Sequence, residues 1–306
     1  MRKIVQFAFL CALFSCDRGV VPEVVTPETG YTVQFCMETV MEVEPFPGTR
    51  SMPGDIPGEP TVPPYQYLEY AVYDRPADTL MRYRTASSSD KENEDFGKYF
   101  YDTFKRGKYK VCFLAHSTPE RSLSGNSITF GQVSDSFYAS VEIDVNEKSA
   151  DTAVVIAMRR VVSRVEFLAT DTVPGNVFSL SVDVSGRYTA FDLFEGKAKS
   201  DPAPYLFTDT ISDQERGKGV FNTHAFYTLV PSPDNKIGEI TLTSSDKQKN
   251  EVYKRVVKDA PLYENRITRY KGRLYAPSSF DGGFEINIEN DGDWGNPEEI
   301  ALPETD

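Results

Sequence analysis

The chain has 306 residues, a formal net charge of −13 and a sequence pI near 4.8. That acid excess disfavours nucleic acid as a partner, because neutralising phosphates takes a basic surface, and it suits an exported, self-repelling one. Aromatic residues make up 12%, mostly Tyr and Phe, and with the abundant Val and Thr they favour strands over helices.

At the start, Arg2 and Lys3 precede an apolar run over residues 4–14 that reaches Leu13-Phe14-Ser15-Cys16. The run is far short of the ~20 residues of a membrane-spanning helix, and its basic opening and small residue before the cut are those of a secretory signal. Leu-x-Ser-Cys resembles the bacterial lipobox, so residues 1–15 are expected to be removed and Cys16 to carry the lipid. An ordinary signal with an incidental Cys is the alternative. Acyl chains make a firm anchor, since each buried methylene contributes about 0.8 kcal/mol. Residues 16–30 read as a lipidated, flexible stalk.

Residues 31–38 alternate apolar and polar with the period of a half-buried strand. Residues 45–64 are dense in Pro and Gly, so they form an exposed loop. Strands are predicted over 67–73, 80–84, 99–104 and 109–115, and residues 116–132 are looser, with room for a short helix. Residues 137–145 alternate again, and 152–158 form a continuous apolar run suited to a buried strand. A domain boundary is placed near 158/159. Beyond it, strands are predicted over 177–184, 187–194, 225–230, 239–244, 252–257, 267–275 and 284–288, with loops between. The fold expected is all-β, two tandem Greek-key β-sandwiches over residues 31–158 and 159–306.

Little in the chain points to catalysis. His116 and His224 lack metal-spaced partners, so each reads as a structural histidine. No nucleophile elbow or phosphate-binding glycine loop is present, and no pair of carboxylates stands out. Enzyme function, a cofactor and a metal are therefore not expected. Residues 290–296 hold several oxygen side chains around Trp294 but lack the calcium-loop register, and they read as a solvated turn. Arg159, Arg160 and Arg164 are interleaved with Val, which suits ion pairing; a docking patch is the alternative.

Cys36 and Cys112 are the cysteines left in the folded part. Each lies on the parity opposite the large apolar residues of its strand, so both could face the same side of neighbouring strands. A disulfide stapling the first strand is one expectation and two free thiols the other.

Several motifs together resemble the fimbrillin superfamily of Bacteroidales. They are the lipobox, Thr49-Arg50-Ser51 after the first strand, Gly107-Lys108-Tyr109-Lys110-Val111, the junction from Met158-Arg159-Arg160-Val161 to Phe167, Asn265-Arg266-Ile267-Thr268-Arg269-Tyr270-Lys271-Gly272, and Asp293-Trp294 at the end. The resemblance implies transthyretin-like sandwiches, outer-membrane lipidation, a surface location in fimbriae and other fimbrial subunits as partners. It also implies that Arg50 marks a possible protease cleavage site, which in shaft subunits releases the first strand and opens a groove for a donated one. The leading expectation is a lipid-retaining anchor or accessory subunit acting in fimbrium assembly and cell adhesion. A surface lipoprotein binding glycans or another ligand through residues 45–64 and 201–218 is the alternative, and a polymerising shaft or tip subunit a third.

Overall fold

A computed structural model of the chain describes residues 30–38, 63–90, 95–146, 153–217, 222–232, 235–277 and 283–289. The signal segment, Cys16, Arg50 and the cluster at 290–296 lie outside them. Among the described residues every regular element is a strand, so the all-β expectation holds. The first half comprises β1 (Tyr31–Glu38), β2 (Tyr67–Asp74), β3 (Thr79–Ser87), β4 (Tyr99–Phe104), β5 (Gly107–His116), β6 (Arg121–Ser124), β7 (Ser127–Phe130), β8 (Phe137–Val145), β9 (Ala153–Ala157) and β10 (Arg159–Arg160). The second comprises β11 (Val162–Ala169), β12 (Ser179–Tyr188), β13 (Ala190–Asp192), β14 (Lys197–Ala198), β15 (Pro202–Thr210), β16 (Thr223–Leu229), β17 (Lys236–Ser245), β18 (Glu251–Pro261), β19 (Ile267–Gly272) and β20 (Glu285–Glu289).

Two sandwiches and a small connecting sheet result. A sheet in the order β4-β1-β9 faces one in the order β10-β8-β5-β2-β3. Alternate residues of β1, β2, β5 and β8 meet in one core, with Phe35, Tyr70, Val111, Phe113 and Phe137 fully enclosed. In the second sandwich β16-β11-β19-β20 faces β15-β12-β17-β18, and Phe167, Val182, Leu242, Ile267 and Tyr270 share its core.

The connecting sheet runs β14-β13-β7-β6 and joins the halves directly, because Phe191 pairs with Ile128 and Ala190 with Thr129. It lies against the outer face of β2 and β5. Ala71, Tyr73, Cys112 and Leu114 accordingly pack in the same cluster as Ile128, Phe130 and Phe191. β2 and β5 are thus covered on both faces, which explains their near-continuous burial.

Four elements depart from the sequence reading. The expected helix before 132 is the β6–β7 hairpin, whose two-residue loop carries Gly125 at φ 59°, the positive φ that a type II′ turn takes at its first central residue. Residues 202–210, read as loop, form edge strand β15; Pro202 and Pro204 are compatible with an edge, where a missing N–H disrupts no ladder. The strand expected over 187–194 is divided between the end of β12 and β13. β9 is an edge strand and not a buried one, paired only with β1, and Val155 is 59% exposed.

Candidate functional site

β1 is the strand whose placement bears most on the sequence expectations. It is the middle strand of its sheet, antiparallel to β4, with Phe35 opposite Phe100, and parallel to β9, with Phe35 opposite Val154. Its alternation puts Val33, Phe35 and Met37 into the core while Thr32, Gln34 and Cys36 turn outward. The Phe35 ring meets Phe113 at 5.3 Å, Phe104 at 6.2 Å and Tyr70 at 6.3 Å. Burial of such side chains is worth about 1.5–3 kcal/mol each. Without β1, a slot would open between β4 and β9 with Phe113 and Tyr70 at its floor.

The rim of that slot is tied to the facing sheet by a buried carboxylate. Asp102 of β4 accepts a 2.7 Å hydrogen bond from the Tyr70 hydroxyl and pairs with Arg82 and, at 3.2 Å, with Arg84 of β3. Burial first, and then the hydrogen bond to Asp102, push the Tyr70 phenol well above its ordinary range.

Cys36 and Cys112 are free. Cys36 points off the outer face of the β4-β1-β9 sheet, whereas Cys112 points into the cluster on the far side of the facing sheet. The two thiols therefore look away from each other across the whole sandwich, and the structure does not bring together the pair considered for a disulfide. Burial raises the Cys112 thiol to about 11. No covalent staple holds β1; pairing and burial do.

Each histidine is satisfied within the protein. His116 sits beside Glu69, with Nε2 3.1 Å from its Oε1, while Nδ1 accepts from the Thr118 N–H at 3.2 Å. Glu69 is fully buried and also accepts from Tyr83 at 2.5 Å, Thr85 at 2.6 Å and Arg121 at 2.7 Å. Burial alone would raise its carboxyl, but these four hydrogen bonds outweigh it and hold the group down at about 2. The network ties β6 to β2, β3 and β5. His224 bridges Asp209 at 2.6 Å and the Tyr275 hydroxyl at 2.7 Å. Asp171, unremarked in the sequence, caps the N–H groups of Leu274, Tyr275 and Ala276 at 2.8, 3.0 and 3.1 Å. No group of His, Cys, Asp and Glu suited to a metal occurs among the described residues.

The basic group at the junction is engaged in ion pairs. Arg160 is bound by Asp135 through two hydrogen bonds of 2.7 and 3.1 Å, Arg159 pairs with Glu264, and Arg164 lies 3.2 Å from Glu166. Of the segment 201–218 proposed as a binding loop, residues 202–210 belong to β15.

Two β-sandwiches joined by a small sheet are an architecture shared with solved structures. A Bacteroides thetaiotaomicron protein provisionally described as polysaccharide binding (DUF1812) superposes with a TM-score of 0.50 at 11% identity, over 90% of this chain and 99% of its own. A fimbrial assembly protein from Parabacteroides distasonis gives a TM-score of 0.46 at 12% identity, over 86% and 96% of the two chains. The fimbrial anchor protein Mfa2 from Porphyromonas gingivalis gives 0.42 at 14%, over 85% and 96%. At such identities the likeness is one of fold. Fimbrial proteins of Bacteroidales are among the structures this chain is similar to. By sequence, the chain belongs to the family of unknown function DUF6562, whose profile matches residues 124–303. No curated protein matches it by sequence.

Proposed function

We propose that this chain is a fimbrial-type surface subunit of the anchor or accessory kind, held at the outer membrane by a lipid on Cys16. In this reading it acts in fimbrium assembly and adhesion through strand pairing with other subunits, without chemistry of its own. Residues 31–158 and 159–306 would serve as its two sandwich modules. The observation that supports it is the place of β1: a strand near the N-terminus, bonded on both flanks and sealing an aromatic core. Such a strand can be kept, which leaves the slot filled, or withdrawn, which creates an acceptor for a donated strand. A subunit that retains it is suited to a terminal position at the membrane.

Determining the N-terminus of the protein recovered from its cells tests this. Acylated Cys16 at the start is the expected result. A start at Ser51 would mean cleavage after Arg50 and loss of β1, and would replace the anchor reading with that of a polymerising shaft subunit.

A further inference from the structure

We propose that two copies of this chain associate through the outer edge of β9, as an antiparallel pair with its two-fold axis at Val155. β9 has β1 on one flank, and among the described residues no strand bonds its other edge. An open row of backbone donors and acceptors is a template for a further strand, and proteins blunt such rows with charges, prolines or bulges. Other edges of this fold follow that rule. β3 carries Arg82 and Arg84, and its ladder with β2 shifts register between Val72 and Tyr73. β15 contains Pro202 and Pro204, and β18 contains Lys254, Arg255 and Lys258. β9 reads Ala-Val-Val-Ile-Ala, with no charge, no proline and no irregularity in its register.

The residues of β9 select a second copy as the partner. A two-fold interface needs a patch that complements itself. Antiparallel pairing centred on Val155 sets Ala153 opposite the partner's Ala157, Val154 opposite the partner's Ile156, and Val155 opposite the partner's Val155. Small residues then meet small ones and branched residues meet branched ones. On the inner face Ile156 is buried and Val154 is partly buried against the first core, so the added strand covers the open flank of Val154. On the outer face Ala153 and Ala157 are exposed and Val155 is 59% exposed. Facing β-branched side chains there stabilise the pair. A shift of one residue would set inward Val154 against outward Val155, which is the wrong face.

The chain's path suits this arrangement. From Ala157 it passes to β10 in the facing sheet and then into the second sandwich. Antiparallel pairing puts the two exits at opposite ends of the joint, so the second sandwiches point away from each other. The product is a six-stranded sheet in which β4-β1-β9 continues into its copy in reverse order. A ladder of five residues is a small interface, and a net charge of −13 on each copy opposes approach, so the association is weak and reversible. The proposal rests on β1 being kept, as the proposed function does, but not on a lipid or on another kind of subunit.

Sedimentation equilibrium of the purified mature protein, its mass first confirming that residues 17–50 are present, tests this at up to about 100 μM chain and physiological salt. A monomer–dimer equilibrium is expected. Val155→Lys, which sets two like charges face to face, should weaken it about tenfold or more. Val155 is exposed, so this variant should keep the wild-type near-UV circular dichroism. Disulfide trapping reads the register. It uses a Cys36→Ser background, because Cys36 lies opposite Val155 on β1. Val155→Cys should cross-link to a dimer on mild oxidation, since paired Cα atoms ~4.5–5.5 Å apart are within disulfide reach. Ala153→Cys should not, since its own copy would lie more than about 13 Å away. A monomer at every concentration, a dimer indifferent to Val155→Lys, or equal trapping at both positions would each overturn the proposal. Because the chains tested retain β1, any of these results leaves the anchor reading standing; that reading falls only with a start at Ser51 in protein from cells.

Discussion

The Tyr70 hydroxyl reaches across the first sandwich to donate to Asp102 at 2.7 Å, joining the two sheets at their β3 and β4 edges through one buried carboxylate. Removing the acceptor leaves a buried hydroxyl unsatisfied and two arginines without their partner. Asp102→Ala is expected to lower unfolding stability by about 2–3 kcal/mol and Tyr70→Phe by about 1 kcal/mol. Urea denaturation of the two single variants and the double variant measures this. A double variant equal to the sum of the singles would show that the pair is not coupled.

Phe35 gives the strongest single handle on β1. Its ring is fully buried against Phe113, Phe104 and Tyr70, so Phe35→Ala is expected to cost about 3–5 kcal/mol. Gln34→Ala, on the outward side of the same strand, is expected to cost well under 1 kcal/mol. Comparing the two by chemical denaturation separates core filling from a general effect on the strand.

Glu69 sets a defined pH response. Its folded value, about 2, is depressed below the ordinary 4.5. The stability it contributes is therefore present above about pH 4.5 and is lost as pH falls toward 2, and 2.5 units correspond to about 3 kcal/mol. Glu69→Gln should be less stable than wild type at pH 7, with the difference shrinking between pH 4.5 and 2. Denaturation curves across that window check it, and a constant difference would count against the assignment.

The two thiols should differ in reactivity. Cys36 is partly exposed on the outer sheet face and Cys112 is buried with its thiol raised to about 11. Iodoacetamide is expected to label Cys36 in the native protein and Cys112 only after unfolding. Intact mass should not change on reduction. Peptide mapping after each treatment reads both results.

The connecting sheet predicts that the halves unfold together. β7 comes from the first half and β13 from the second, and both lie in one cluster with the outer face of β2 and β5. A calorimetric enthalpy equal to the van't Hoff value is expected, and two resolved transitions would contradict it. Ile128→Asp, which puts a charge into that shared cluster, should lower stability by more than about 3 kcal/mol.

How legible the structure is in sequence varies with what each pattern encodes. Residues 137–145 alternate cleanly, and β8 occupies the same span. Periodicity also identifies the side of β1 on which Cys36 lies and the side of β5 on which Cys112 lies. It does not tell which sheet each strand joins, and with the strands in opposite sheets the shared parity becomes opposite directions. β15 is hidden because Pro202 and Pro204 look like loop punctuation, although an edge strand tolerates them. The Ser-rich β6–β7 hairpin carries too few apolar residues to show a period, and its pairing with β13 spans some sixty residues of chain. Glu69 and Asp171 illustrate the same limit: an isolated acid, whether between Leu68 and Tyr70 or between Thr170 and Thr172, gives no local sign of the donors that folding brings to it.

The double flanking of β1 bears on how the molecule carries load. Traction drawn in through residue 30 runs along the axis of β1, between an antiparallel neighbour and a parallel one. The ladder bonds on both sides then resist sliding in concert, as in a lap joint under shear, and do not yield singly as in a peeled ribbon. Under the lipid-anchor reading proposed above, a cell held through this end would be tethered by a strand bonded on both flanks.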